Sequence, residues 1–296
     1  MAARRPRRPP RPRRRRRRPA PRGGAVTRYD PDDPSARVSA HVTEVPGEPE
    51  EVWRAIATGP GISTWFVPAE VEEREGGRIV THHGPFGTSA GVVTAWEPPH
   101  RFAYEERDWD PDAPDAPPWA TELLVESRGG GTCVVRLVSG FFTGGEGWEE
   151  QLEGTDEGWR GALRTLRLAL THFPGLPVAS MEVFGSLTGR SADDAAGELL
   201  PALGLAGASP GDRVDLDGGA PPTTGTVVDA GPRGVTLHVE RPHPGVLEVA
   251  AFSHGGTTVA VRAHLFGAGG TEAAAREAPR WTAWLGEHLP GFSPLT

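Results

Sequence analysis

The chain has 296 residues and a formal charge of −8. That sum joins a head, residues 1–28, with 13 arginines and no acid, to a body with 18 arginines and 39 acids, net −21. Lysine is absent, which excludes Walker-A phosphate binding, pyridoxal Schiff bases and lysine general bases, and the single cysteine, Cys133, excludes an intrachain disulfide.

The head, MAARRPRRPPRPRRRRRRPAPRGG, has almost no apolar side chains and repels itself, so residues 1–28 are expected to be disordered. Two origins are open for it. It can be a basic arm for nucleic acid or an anionic membrane, or translated upstream GC-rich sequence with the true start further in, and the last is the simpler reading. The acidic body argues against nucleic acid as a partner except through this head. No apolar segment follows the arginines, so no secretion signal is read, and no run approaches the ~18 residues of a membrane span. A cytoplasmic location is the expectation.

Residues 38–45 (VSAHVTEV) alternate as a strand does. EPEEVWRAIAT, residues 48–58, reads as a helix: acids fill its first turn, and Val52, Trp53 and Ile56 share a face. Gly59-Pro60-Gly61 is expected to break it before a short second helix, ISTWF. Strand-like runs follow: AEVEERE, GGRIVTHH, SAGVVTAWE, RFAYEER, TELLVESR and TCVVRLVSGF, divided by Gly- and Pro-rich turns. In residues 146–172 the period changes. Trp148, Leu152, Thr155, Trp159, Ala162, Leu166 and Ala169 form one stripe of a long amphipathic helix. A sheet of this length needs a cover for its apolar face, and this helix is the one element large enough. The order predicts an α+β domain over 36–175, with an antiparallel sheet curved around the helix and a cavity between them.

Residues 178–296 repeat the plan as a degenerate second copy. ASMEVFGSL leads to the helix SADDAAGELLPALG. GDRVDLDGGAPPTTGTVVDAGPRGVTLHVE can be laid over GGRIVTHHGPFGTSAGVVTAWEPPHRFAYE without gaps, matching Gly76 to Gly211, Arg78 to Arg213 and Glu105 to Glu240. VLEVAAFSH and TTVAVRAHLF read as a hairpin. TEAAAREAPRWTAWLGEHLPG closes as a helix, which Pro279 is expected to restrict to about residues 280–289.

The segments GEPEEVWRAIATGPGISTWFVPAEVEEREGGRI, AGVVTAWEPPHRFAYEE and GWRGALRTLRLAL resemble the activator-of-Hsp90-ATPase-homologue 1-like (AHSA1-like) branch of the START/Bet v 1 (SRPBCC) superfamily. The resemblance covers residues 36–174 and rests on Trp65-Phe66, Gly76-Gly77, Gly91 to Glu97-Pro98-Pro99, and Gly158-Trp159. These mark a fold, not a catalyst. The resemblance implies a helix-grip fold and, in many members, a cavity for a hydrophobic ligand; other members are polyketide cyclases or Hsp90-linked co-chaperones.

Chemical motifs are sparse. Gly87-Thr88-Ser89-Ala90-Gly91 fits G-x-S-x-G, but a strand-like run follows where a nucleophile elbow needs a helix, so Ser89 reads as a hairpin residue. His82 and His83 point to opposite faces of a strand end and cannot chelate one metal together; both are read as an exposed turn. Glu72, Glu73, Glu75, Glu105, Glu106 and Asp108 read as a solvated face. Acid–base chemistry would need one of them, or His41, turned inward with a raised pKa. Trp65, Phe66, Phe86, Trp96, Tyr104, Phe141 and Trp159 are the candidate ligand-binding residues. Trp109 and Trp119, bracketing a proline-rich loop, are candidates for a lid. The leading expectation is a binder of a small apolar ligand without catalysis, cofactor or metal. The alternatives are a cyclase- or hydrolase-like enzyme using the same cavity, supported by an inward His or carboxylate beside Tyr104, and a chaperone-linked interaction protein.

Overall fold

The computed structural model describes residues 28–109, 113, 115–147, 152, 155–216, 218–253 and 255–295. The head, apart from Arg28, and Trp148 of the helical stripe lie outside the described residues. The first strand, β1 (Arg37–Pro46), leads to helix α1 (Pro49–Ala57). Proline stands in the first turn of α1, where its missing N–H costs nothing, and Glu48 and Glu51 form a reciprocal capping box.

The next helical turn comes earlier than expected. It is α2, Gly59–Ile62, not ISTWF. Thr58 Oγ1 accepts the Gly61 N–H at 3.1 Å, and Pro60 sits in the first turn, so Gly-Pro-Gly starts the turn that it was expected to break. A Cβ on Gly61 would lie 1.9 Å from the Arg54 carbonyl oxygen, so only glycine lets α2 fold this closely against α1. The Trp65 indole N–H donates to the Ala55 carbonyl at 2.9 Å and pins the following turn.

Strands β2 (Ala69–Val71), β3 (Arg78–His82), β4 (Thr88–Glu97), β5 (Arg101–Glu106), β6 (Trp119–Ser127) and β7 (Thr132–Phe141) then form an antiparallel meander. β1 closes onto β7, giving the order β1-β7-β6-β5-β4-β3-β2. Helix α3 (Thr155–His172) covers the inner face, burying Trp159, Ala162, Leu163 and Leu166 among Phe102, Leu123, Val135 and Leu137. Each large apolar side chain buried there contributes roughly 1.5–3 kcal/mol.

The second unit has β8 (Val178–Leu187), α4 (Ala192–Ala202), β9 (Arg213–Asp215), β10 (Thr224–Gly231), β11 (Gly234–Arg241), β12 (Gly245–Ser253), β13 (Thr257–Phe266) and α5 (Gly270–His288). A last strand, β14 (Phe292–Leu295), which the sequence did not announce, pairs with β8. The sheet order is β14-β8-β13-β12-β11-β10-β9. Each sheet grips one long helix, so the fold is a duplicated α+β helix-grip. Pro279 does not shorten α5, which runs through it. The helix is held on both sides of the proline, by buried Ala273 before it and buried Trp281, Trp284 and Leu285 after it, and this packing outweighs one lost backbone bond.

Strand register corrects the gap-free alignment of the two copies. Gly76 N–H donates to the Val93 carbonyl at 2.8 Å, and Gly211 N–H to the Val227 carbonyl at 2.9 Å. Val93 pairs with Tyr104, and Val227 with Leu237. Tyr104 therefore corresponds to Leu237, not to Val239. The slip accumulates along β10 and β11, where the register is irregular and the turn between them is shorter than its counterpart. Across the sheets, the row Tyr104, Thr121, Ser139, Ser39 corresponds to Leu237, Leu247, Ala263, Met181. Two residues further along their own strands, on opposite sides of this row, Glu106 and His41 correspond to Val239 and Val183.

Candidate ligand cavity

A cavity of about 250 Å³ lies between the first sheet and the N-terminal end of α3. Its walls include Thr81 and His83 from the β3 end, Tyr104 and Glu106 from β5, Trp119 and Thr121 from β6, and Phe66, Gly158 and Trp159. The strand residues follow from parity. Phe102, Tyr104 and Glu106 share the inner face of β5, while Glu105 takes the outer face; it is buried there, not solvated as expected, and pairs with Arg107 at 2.5 Å.

Three of the seven expected ligand-binding residues, Phe66, Tyr104 and Trp159, line this cavity. The Phe66 and Trp159 rings stack with centroids 4.7 Å apart. The other four sit elsewhere. Trp65 is buried behind Phe66. Trp96 packs edge-on against Trp53 and Phe102 within the core. Phe141 packs on Trp109 and Trp119. Phe86 points away, onto Phe184 of the second unit. An aromatic on a predicted element is thus not enough to place it on the cavity wall. Of the two lid candidates, Trp119 is a wall residue whose indole N–H donates to Ser139 Oγ at 2.9 Å, and Trp109 covers it with ring centroids 5.7 Å apart.

Two groups read as solvent-exposed turn inward instead. Glu106 was placed on a solvated face and His83 in an exposed turn, yet both line the cavity. The alternation that turns Tyr104 inward turns Glu106 inward too, and this was the signal available in RFAYEER. His82 and His83 do take opposite faces, as expected; His82 stays half exposed near Glu70.

The electrostatics follow from burial. Burial raises the Glu106 carboxyl above its ordinary value, and a hydrogen bond from Ser89 Oγ opposes this in part. Ser89 lies on β4, which continues as strand, so there is no nucleophile elbow. Burial, with a smaller push from the Glu106 charge, raises the Tyr104 phenol, which keeps its proton. Burial lowers His83, with His82 adding to the effect, and His83 Nε2 lies 3.0 Å from Thr81 Oγ1.

Beside the cavity, His41 Nε2 lies 2.7 Å from Ser39 Oγ and 3.2 Å from Asp156 Oδ1, tying β1 to the start of α3. Burial lowers the His41 pKa, and the Asp156 charge opposes this. Among the described residues no group of three or more His, Cys, Asp or Glu could hold a metal, and no helix is long and apolar enough to cross a membrane.

One polar atom stands out. The Trp159 indole N–H is buried and has no hydrogen-bond partner among the described residues. An unpaired buried donor of this kind costs roughly 1–3 kcal/mol.

Residues 46–171 match the family model of the activator of Hsp90 ATPase homolog 1-like protein. The first domain belongs to this family. No curated protein matches the chain. Among solved structures, CalU16 from Micromonospora echinospora is 21% identical, over 46% of this chain and 76% of its own, with a TM-score of 0.37. The di-domain ARO/CYC protein BexL from the BE-7585A biosynthetic pathway is 17% identical, over 86% of this chain and 99% of its own, with a TM-score of 0.42. DynU16, from the dynemicin biosynthetic locus, is 18% identical, over 84% and 96%, with a TM-score of 0.39. The AHSA1-like domain of the present chain carries the polar cavity. In the second unit the corresponding positions, Met181, Val183, Leu237, Val239, Leu247 and Ala263, are all buried and aliphatic.

Proposed function

We propose that the AHSA1-like domain binds a small, planar, largely apolar molecule carrying a hydrogen-bond acceptor. The observation that carries this reading is the aromatic wall of the cavity, where the Phe66 and Trp159 rings stack 4.7 Å apart; the unpaired Trp159 N–H is buried within that wall and meets a ligand when the indole tilts toward it. A ligand carbonyl or hydroxyl oxygen supplies the missing partner, and a flat ring fits against the aromatic wall. Replacement of the corresponding polar row by aliphatic side chains in the second unit supports a ligand-directed origin for these polar groups. Intrinsic tryptophan fluorescence, titrated with flat aromatic ketones, aromatic acids and lipids, tests it. Saturable quenching by the flat acceptor-bearing compounds, abolished by Gly158→Trp, is the expected result. Gly158 is an exposed residue of the wall where an added Cβ meets no atom within 4 Å, so a large side chain fits there without a clash and can cover the cavity mouth. Quenching that survives Gly158→Trp refutes cavity binding.

A cyclase-like enzyme is the second reading, favoured by Glu106 and His83 facing the same cavity beside Tyr104. Glu106, with its raised carboxyl, is suited to give up a proton, and His83, held neutral by burial, to take one. Deuterium exchange at the α-carbon of a bound ketone measures this directly. Exchange equal in the wild type and Glu106→Gln removes Glu106 from any such step.

A further inference from the structure

We propose that the second domain positions the wall of the first domain's cavity, with His264 holding Phe66 in place for the ligand. This rests on the binding reading above and gives the second domain a part in it. His264 Nε2 lies 3.2 Å from the Phe66 carbonyl oxygen, across the two domains. A carbonyl can only accept, so Nε2 carries the proton. His264 is partly buried, and loss of solvent drives its pKa down to about 4, with Arg262 adding to the effect and the Phe66 carbonyl and Glu248 opposing it. The ring is therefore a neutral donor across ordinary pH. Phe66 in turn packs its ring on Trp159, and His83 meets Phe66 edge-on with centroids 5.8 Å apart.

The next turn is held from the same side. Gly84, adjoining His83 in the chain, has φ +57°, and a Cβ there would lie 3.1 Å from Glu182 Oε2. Phe86 packs edge-on against Phe184 at 5.2 Å. Helix α3, which carries Trp159, is gripped as well. Arg164 pairs with Asp229 at 2.8 Å, and the Phe173 ring stacks on Phe266 at 4.3 Å. Leu168 and Ala169 bury against Val246 and Phe266. The outer face of the second sheet thus fixes three segments, and each carries part of the cavity wall: Phe66, His83, and Trp159 with its neighbours on α3. The second domain's own grip is filled with aliphatic side chains and the Trp281 and Trp284 indoles, so its contribution is to fix geometry. Holding a binding wall in its bound shape lowers the ordering cost of association.

The test uses the full chain and 6-propionyl-2-(dimethylamino)naphthalene, a flat neutral fluorophore with a ketone acceptor, as the probe. His264→Leu removes the donor and keeps bulk; His264→Gln keeps an N–H donor. The expected result is about fivefold weaker binding for His264→Leu and recovery to within about twofold for His264→Gln, with cooperative melting in both. Wild-type affinity in His264→Leu, with Gly158→Trp still abolishing binding, overturns the positioning role and leaves the cavity reading standing. Probe binding that survives Gly158→Trp overturns the cavity reading, and the positioning role falls with it. Should His264→Leu fail to fold, Phe86→Ala loosens the same wall from a side chain that is 38% exposed. Weaker probe binding there supports the proposal, and unchanged binding overturns it.

Discussion

Tyr104 and Leu237 hold the same place in their two sheets: each pairs with the valine that closes the preceding hairpin, Val93 in one case and Val227 in the other. One is a buried phenol on a cavity wall, the other a fully buried aliphatic side chain. The same fold has thus been filled in two ways. Exchanging the polar row for its aliphatic counterparts, as Tyr104→Leu, Glu106→Val and Thr121→Leu together, should raise stability by about 1–3 kcal/mol, because buried polar groups are replaced by apolar ones. Differential scanning calorimetry reads the gain. The same triple variant should lose ligand binding, and a variant both more stable and still able to bind contradicts the assignment of these residues.

Trp159→Phe removes the unpaired indole N–H and keeps a ring against Phe66. Stability of the free protein should hold or rise by up to ~1 kcal/mol, since the buried donor without a partner is gone. Affinity for an acceptor-bearing ligand should fall about tenfold, equivalent to ~1.4 kcal/mol. Denaturant melts and fluorescence titration of one preparation give both numbers. Equal affinity with and without the indole N–H means that the ligand does not use it.

Glu106 gives a pH signature. Its folded carboxyl is raised by burial, so the neutral form is the one the fold favours. The associated stability is complete below the ordinary glutamate range and is lost as pH rises through the raised value. Glu106→Gln, which cannot ionise, should therefore match the wild type at acid pH and melt higher than it above that window. Melting temperatures followed from pH 4 to 8 test this sign; a variant uniformly less stable at every pH shows that the Ser89 bond outweighs burial.

Contacts between the two domains differ in weight. Phe173 is buried and stacked on Phe266, so Phe173→Ala should cost about 3–5 kcal/mol. Calorimetry should then resolve separate melting of the two units. The Arg164–Asp229 pair is partly exposed, and Arg164→Ala should cost under about 1 kcal/mol. A single unchanged transition in Phe173→Ala argues that the units are not coupled through this stack.

Pro279 interrupts the backbone ladder of α5 without ending the helix. Pro279→Ala restores the missing N–H and should stabilise the second domain by about 1–3 kcal/mol. Circular dichroism melts measure it, and destabilisation would indicate that the proline fills a packing role.

The element order was legible because each segment states its own period. RFAYEER alternates and TDEGWRGALRTLRLAL steps by three and four, so a sheet and its covering helix could be read locally. Alternation also contained the inward position of Glu106, once Tyr104 was placed on the cavity wall. The boundary of α2 was misread because Thr58 acts as a cap only when the chain folds back on α1, which brings Gly61 against the Arg54 carbonyl.

By itself, the sequence determined the family of the first domain, the number and order of its strands, the stripe of α3 and the absence of lysine chemistry. All of these depend on residues close together in the chain. Tertiary structure decided the rest: which of seven aromatics meet at the cavity, how far the two copies slip in register, and that His264 reaches a carbonyl 198 residues earlier. Strand register is set by pairing between distant segments, and a slip of one residue turns every side chain of a strand to the other face. No local pattern carries that information, so the cavity and its support from the second domain emerge only when the sheets are assembled.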